Sequence, residues 1–368
     1  MATRRGVWDR TPATILAAGL STAAFAGLVG VWMALLDVPV GLPSERISLA
    51  LGVNAAFPVA AGLGCYLWAQ AVYWWSRRGD RPGPGVIRAK IATDLAILAL
   101  FVAVGFFHFN LKTRIFIVHP ALYDPLYWAM DRQVQGLVDW AFRVRRGVAQ
   151  VLPGVDQIYQ FGFFATFVIA FVTLSLRNDR FYRRYAFAII FNMVVGGLGY
   201  LVAPAVGPFL YELGLNAQAT SAQEGMWWGH QQIQLGGAAW VRDHGAAAFT
   251  GGLAAMPSLH AGNGLINLYF TARARPILAL VQGPLFLWIL IEAVASRWHY
   301  VVDLPVGIAL AVAVIALAGW IDGLDQRRTE KSRNRAAAAA GRARGSSQAG
   351  GRPATRSRYR VAPGRVAK

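Results

Sequence analysis

The sequence predicts an all-α polytopic membrane protein of about eight transmembrane helices, with interfacial helices added. Three observations predict it. Apolar residues make up 56% of the 368-residue chain and charged residues 15%, against about a quarter charged in an ordinary soluble domain. The apolar residues gather into runs that approach or exceed the about 20 residues a helix needs to cross a hydrocarbon layer. Clusters of Lys and Arg fall in alternate gaps between those runs, as the positive-inside bias requires.

The first run, Ala13–Leu36, is long and is followed by more spans, so it reads as a membrane helix and not as a cleaved signal peptide. The second, Ile47–Trp75, contains Pro58 and is long enough to tilt or kink. Ile91–Leu111, Ile158–Leu176 and Tyr185–Val202 follow. Ser258–Thr271 is short on its own, and Ile277–Ala295 and Tyr300–Trp320 complete the set. The basic clusters are Arg4, Arg5 and Arg10; Arg77, Arg78, Arg81, Arg88 and Lys90; Arg177, Arg180, Arg183 and Arg184; Arg273 and Arg275; and the C-terminal tail. Eight spans put all of these on one side, the cytoplasm, together with both termini. A bacterial inner membrane is the expected setting.

Three parts follow. Residues 1–90 form two N-terminal spans and a cytoplasmic loop. Residues 91–322 form a membrane core, with interfacial helices over 112–157 and a cap over 204–255. Residues 323–368 form a disordered basic tail. Within the first outer segment Leu137, Trp140, Ala141 and Val144 recur at helical spacing with charges between, the pattern of helices lying in the interface plane. From Gln326 to Lys368 there are 13 basic residues and one acidic, so +12 of the formal +18 sits in the tail. Such a composition buries too little apolar surface to fold. It suits the anionic headgroups of a cytoplasmic leaflet better than nucleic acid. Cys65, the single cysteine, excludes an internal disulfide and a cysteine-based metal site.

The candidate chemistry lies between Met256 and Gly307. His299 and Asp303 are four apart at the start of a span, and on a helix i and i+4 share a face. A carboxylate that accepts from one imidazole nitrogen fixes the tautomer and frees the other nitrogen, which prepares a nucleophile or base. Pro257-Ser258 precedes an apolar run as a helix start does. The open N–H groups there suit phosphate, and His260 lies on the first turn, placed to protonate a leaving oxygen. Both histidines fall on the outer side. His108, His119, His230 and His244 have no comparable partners and read as structural or interfacial.

The pair Pro257-Ser258-Leu259-His260 and His299-Tyr300-Val301-Val302-Asp303 resembles the second and third signature motifs of the type 2 phosphatidic acid phosphatase superfamily. Leucine in the first motif, with Tyr123-Asp124-Pro125-Leu126, Asp131-Arg132 and Gly136 upstream, resembles the inositol phosphorylceramide synthase-like branch. The resemblance covers about Ile91 to Trp320. It implies a six-helix core with a metal-free, cofactor-free site. It also implies His299 as the nucleophile that forms a phosphohistidine and Asp303 as the residue orienting it. His260 becomes the acid and then the base, and Ser258 a phosphate holder. The implied activity is lipid phosphotransfer on the extracytoplasmic face, from a phospholipid or lipid phosphate to a lipid alcohol. With water as acceptor the same residues give a lipid-phosphate or polyprenyl-phosphate phosphatase.

The sequence departs from the superfamily pattern in two places. The stretch Tyr200–Phe209, matched to the first motif, lacks that motif's lysine and arginine, and Ala293 stands where the third motif often has arginine. A dianionic phosphate needs cations, and Arg297 and Arg242 are the candidates. Other classes are weaker. An intramembrane serine protease would want Gly-x-Ser-x-Gly, where Met256 and His260 stand. A transporter or scaffold would be marked by charges inside spans, here few: Asp94 and Glu292. The first two spans lie outside the resemblance, and their expected roles are packing on the core, shaping a lipid access path or forming a homo-oligomer contact.

Overall fold

Backbone amides left unpaired in hydrocarbon are costly, so apolar runs of this length fold as helices. Every regular element among the described residues is helical. The computed structural model describes residues 12–41, 56–77, 79, 82–119, 122–177, 180–244 and 256–349. Arg4, Arg5, Arg10, Arg78, Arg81, the start of the second expected span, the end of the cap and the last tail residues lie outside them.

In chain order the helices are α1 Ala13–Leu35, α2 Ala56–Ser76, α3 Pro84–Val118, α4 Asp124–Gln133, α5 Gln135–Val151, α6 Val155–Ser175, α7 Arg180–Tyr200, α8 Ala217–His244, α9 Leu259–Ala274, α10 Ala279–Ala295 and α11 Asp303–Ala349. Helices α1, α3, α6, α10 and α11 contain stretches long and apolar enough to cross a membrane. The other three expected spans coincide with α2, α7 and α9. The first turns of α7 carry Arg180, Arg183 and Arg184, and α9 has 16 residues. At about 1.5 Å per residue α9 falls short of a full crossing. The protein is an all-α, multi-pass membrane protein.

Helix α1 packs on α3 and α7, and α9 packs on α6, α7 and α10. Phe25, Val29 and Met33 place α1 in the main core beside Phe187 and Ile190 of α7, while α2 lies against α6. The two charges expected inside spans both have partners. Asp94 accepts from Lys90 at 2.5 Å and from Tyr66 at 2.8 Å. Glu292 accepts from Asn216 at 2.7 Å and faces Arg145 at 3.4 Å, and Arg145 also pairs with Asp156.

Two expectations change. Helix α3 runs seven residues past Leu111, so Lys112 and Arg114 belong to a membrane helix and not to an outer loop. Arg114 is tolerated there because it donates to the Pro39 carbonyl at 3.2 Å and to Thr113 Oγ1 at 2.8 Å. Helix α5 forms over the stretch where helical spacing was expected; its buried face is Val138, Ala141 and Arg145, and Leu137 and Trp140 point outward with Leu126 and Met130 of α4. The tail, expected without fixed structure, falls in a separate unit, Gly323–Lys368, and is helical as far as Ala349. Alanine is the strongest helix former, and Ala336–Ala340 with its flanking arginines supplies local propensity without a core.

Close backbone contact sets the site. A Cβ at Gly307 on α11 would lie 2.1 Å from the Ser258 carbonyl oxygen, so only glycine lets α11 meet the start of α9. A Cβ at Gly214 would fall 2.5 Å from the Ser296 carbonyl, which brings the cap against the end of α10.

Candidate active site

Ser258 is the N-cap of α9 and its Oγ accepts from Ala261 N–H at 3.3 Å, as the sequence predicts. Its own N–H donates to the Asp303 carbonyl at 3.1 Å, tying the start of α9 to the start of α11. His260 follows on the first turn, held between Tyr159, stacked with centroids 5.1 Å apart, and Phe163 at 4.4 Å.

The other half of the site begins where α10 ends. Trp298 N–H returns to the Ala293 carbonyl at 3.1 Å and Arg297 N–H to Val294 at 3.0 Å, a Schellman closure. The residue that must turn left-handed in this motif is usually glycine, and here it is Arg297, with φ 56°. Such a conformation costs about 1 kcal/mol or more outside glycine. Contacts from three directions hold it. The guanidinium faces Asp131 and Glu212, each at 3.4 Å, and lies 5.4 Å from the Trp128 ring centroid. His299 then leaves the turn with its N–H on Ala293 at 3.0 Å.

His299 Nδ1 lies 3.2 Å from Asp303 Oδ2, which also accepts Tyr300 N–H at 3.1 Å. The expected pair forms, although not along a helix face: Asp303 is the first residue of α11 and His299 sits in the turn before it. The carboxylate oxygen accepts, so Nδ1 carries the hydrogen and Nε2 offers a lone pair. That Nε2 is 3.3 Å from His260 Nδ1 and 3.4 Å from Ser258 Oγ. Burial pushes the His299 imidazole down to about 3, helped by the Lys112 charge, so the ring is neutral near pH 7.

Four of the expected residues therefore meet: Ser258, His260, His299 and Asp303. Arg297 lies two residues before His299 but is engaged with carboxylates. Arg242 is paired with Asp37 at 2.9 Å on an exposed face. Sequence reasoning missed Lys112. It is 9% exposed, packs its ammonium 5.3 Å from the Tyr200 ring centroid, and its charge acts on both His260 and His299. No carboxylate pairs with it among the described residues. The signal was present, a lysine one residue past an apolar run, but it reads as an ordinary boundary residue.

Helix α4 braces the histidine turn from outside the bundle. Asp124 accepts from Val206 N–H at 2.9 Å, Gly207 N–H at 2.8 Å and Tyr300 Oη at 2.8 Å. Asp131 Oδ1 accepts from Val301 N–H at 2.8 Å. Burial raises the Asp131 carboxyl to about 6, although Val301 N–H and Arg297 pull the other way. A raised folded-state value favours the protonated form. The stability from this group is therefore full below about pH 4, its unfolded value, and is lost as pH rises through about 6. Asp131→Asn keeps an acceptor for Val301. It is expected to flatten the pH dependence of the thermal midpoint between pH 4 and 7, by about 2 kcal/mol of stability across that window. An unchanged slope in detergent-solubilised variant would contradict this.

The scaffold is that of a multi-pass enzyme of the phosphatase or phosphotransferase type acting on lipids. The sequence pattern of the PAP2 superfamily matches residues 128–317, just over half of the chain, and the protein belongs to that superfamily. No curated protein and no solved structure matches.

Proposed function

We propose that the protein moves a phosphoryl or phospho-headgroup between lipids, on the extracytoplasmic face, through a phosphohistidine at His299. One observation carries the reading: His299 Nε2, freed by the Nδ1 contact with Asp303, faces His260 Nδ1 at 3.3 Å beside the capped start of α9. In the first half-reaction Nε2 attacks phosphorus and the P–O bond to the leaving group breaks. His260 gives its proton to the departing oxygen. In the second, His260 takes the proton of the acceptor hydroxyl, the new P–O bond forms and the P–N bond breaks. Asp303 holds the imidazole, and Ser258, the first N–H groups of α9 and Lys112 meet the phosphate oxygens.

Ser258 is fully buried and His299 is 4% exposed. A site so little open to water supports an alcohol acceptor over hydrolysis. The Pro-Ser-Leu-His form and the Tyr123–Leu126 segment, whose Asp124 bonds Tyr300, support a place near the inositol phosphorylceramide synthases. They also support a phosphoinositol-like headgroup.

The test is a product assay on purified protein in detergent with EDTA, comparing wild type with His299→Ala. Lipid phosphates, phosphatidylinositol, ceramide and diacylglycerol are offered together. A new phospholipid formed with EDTA present and absent from the variant is the expected result. Free phosphate alone, lost in the variant, makes the enzyme a phosphatase. Complete loss of activity in EDTA, or a variant as active as wild type, overturns the histidine mechanism.

A further inference from the structure

Helix α5 presents three faces. Val138, Ala141 and Arg145 are buried on the bundle. Leu137, Trp140, Val144, Val148 and Val151 recur every three or four residues as a second, apolar face; Leu137, Trp140 and Val151 are exposed and the two valines between them half-buried. Asp139, Arg143, Arg146 and Gln150 form the third, polar and exposed. At about 3.6 residues per turn the apolar and polar stripes fall on opposite flanks of the buried face.

The packing of α5 sets its depth. Val138 and Ala141 sit with Ile291, Val294 and Ala295 at the end of the spanning helix α10, and Phe142, Val144 and Trp288 close the cluster. Trp288 is seven residues before Ala295, about 10 Å of helix rise. Helix α5 therefore lies along the last turns of a span, within the about 5–10 Å that an interfacial helix reaches. Outside the bundle at that level the surroundings are lipid, so the exposed apolar stripe continues the lipid-facing surface of the bundle. The polar stripe meets the headgroups. Asp139 accepts from Gln135 at 3.0 Å, which leaves Arg143 and Arg146 toward lipid phosphates. The same two helices hold the catalytic turn. Val134 alone joins α4 to α5; its N–H returns to the Asp131 carbonyl at 3.0 Å and its carbonyl accepts from Leu137 N–H at 2.8 Å. On the buried side of α4, Asp124 accepts from Tyr300 Oη and Asp131 from Val301 N–H, each at 2.8 Å. Tyr300 and Val301 directly follow His299.

We propose that lipid of the outer leaflet occupies the 137–151 stripe, and that this seating holds α4 and the turn bearing His299 in working position, so that turnover depends on the membrane surface. The proposal rests on the phosphotransfer reading for what the turn does, and adds the partner that steadies it. Leu137 and Trp140 act through α4 and touch no reacting atom. They are positioning residues whose own partner is the acyl-chain boundary. A detergent micelle offers the stripe an apolar surface as well, so the wild type turns over there too.

The seating is tested without turnover. Full-length protein carrying Cys65→Ser receives a nitroxide label at Leu137→Cys or at Arg143→Cys, in phosphatidylcholine–phosphatidylglycerol vesicles. The label at 137 is expected to be relaxed more by oxygen than by a water-soluble nickel chelate, and the label at 143 the reverse. Nickel access at both positions overturns the seating. A label at 137 shielded from both reagents means that another polypeptide covers the stripe, which overturns it too. The coupling is tested in the same vesicles with Leu137→Gln/Trp140→Gln on two substrates, phosphatidic acid and the water-soluble p-nitrophenyl phosphate. Both kcat values are expected to fall about 10- to 100-fold, the cost of a small misplacement of a reacting group. The thermal midpoint in detergent is expected to stay near that of wild type, because the replaced side chains face outward. Leu137→Met/Trp140→Phe is expected to restore both activities. If the double variant unfolds, Trp140→Gln alone carries the same test. Loss on the lipid substrate alone makes the stripe a substrate path, and unaltered kcat makes it a passive anchor; either result overturns the coupling. No His299-dependent turnover of either substrate by wild type, with the label pattern as expected, faults the phosphotransfer reading instead and leaves the seating in place.

Discussion

Replacing His299 with alanine is expected to lower turnover by about 10⁴-fold or more, because no second group can take its place as nucleophile. Nε2 of His299 has both His260 Nδ1 and Ser258 Oγ within 3.4 Å. Those neighbours have other roles in the proposed mechanism, and His299 Nε2 is the one imidazole nitrogen within hydrogen-bonding distance of Ser258 Oγ among the described residues. The fold is expected to survive, since the turn is closed by backbone bonds to Ala293 and Val294. The thermal midpoint therefore checks that lost activity is not lost protein. His260→Ala gives the complementary result. It blocks transfer from an alkyl phosphate ester, whose leaving oxygen needs a proton. It is expected to retain more activity toward p-nitrophenyl phosphate, whose leaving group departs unprotonated. Rapid acid-stable quenching is the wrong trap, because phosphohistidine is acid-labile. Alkaline gels with labelled substrate are expected to show label on wild type and none on His299→Ala. Equal labelling of the two proteins would place the nucleophile elsewhere.

How much of this was legible depends on the range over which each feature is encoded. The cap at Ser258 and the His299–Asp303 pair are local, and the sequence carries them in a handful of adjacent positions. The geometry behind the pair was not legible, because a helical reading of i and i+4 places His299 on α11. In fact the Schellman turn through Arg297 delivers it. Nothing nearby marks Arg297 as left-handed. Its conformation is held by Asp131, Trp128 and Glu212, which lie far away in the chain. The same holds for the brace on Tyr300, where Asp124 is separated by 176 positions. The segment Tyr123–Leu126 was visible as a string, but the work of its Asp124, gripping Val206, Gly207 and Tyr300, needed three dimensions. Helix ends set by hydropathy were wrong where polar residues find internal partners. The apolar count stops α3 at Leu111, whereas Thr113 and Arg114 satisfy themselves on carbonyls and let the helix continue to Val118.

That extension matters most for Lys112. Replacing it with methionine, which keeps the length and apolar stem, is expected to reduce kcat/KM by about 10²–10³-fold, the range for removing one charged stabiliser of a transition state. A phosphoryl group in transfer carries negative charge on its oxygens, and the buried site offers little water to meet it. Arg242 is occupied by Asp37 on an exposed face, and Arg297 by Asp131 and Glu212. Lys112 has an aromatic neighbour, no carboxylate partner among the described residues, and a field that reaches both histidines. A structural role would lower stability and leave affinity for competing anions alone. A phosphate-binding role makes inhibition by orthovanadate weaken along with kcat/KM, and Lys112→Arg restores part of both. Arg297→Lys is expected to do the reverse, lowering the thermal midpoint more than it weakens vanadate. If Arg297→Lys instead weakens vanadate and Lys112→Met does not, the positive charge on the phosphate belongs to the turn and not to the end of α3.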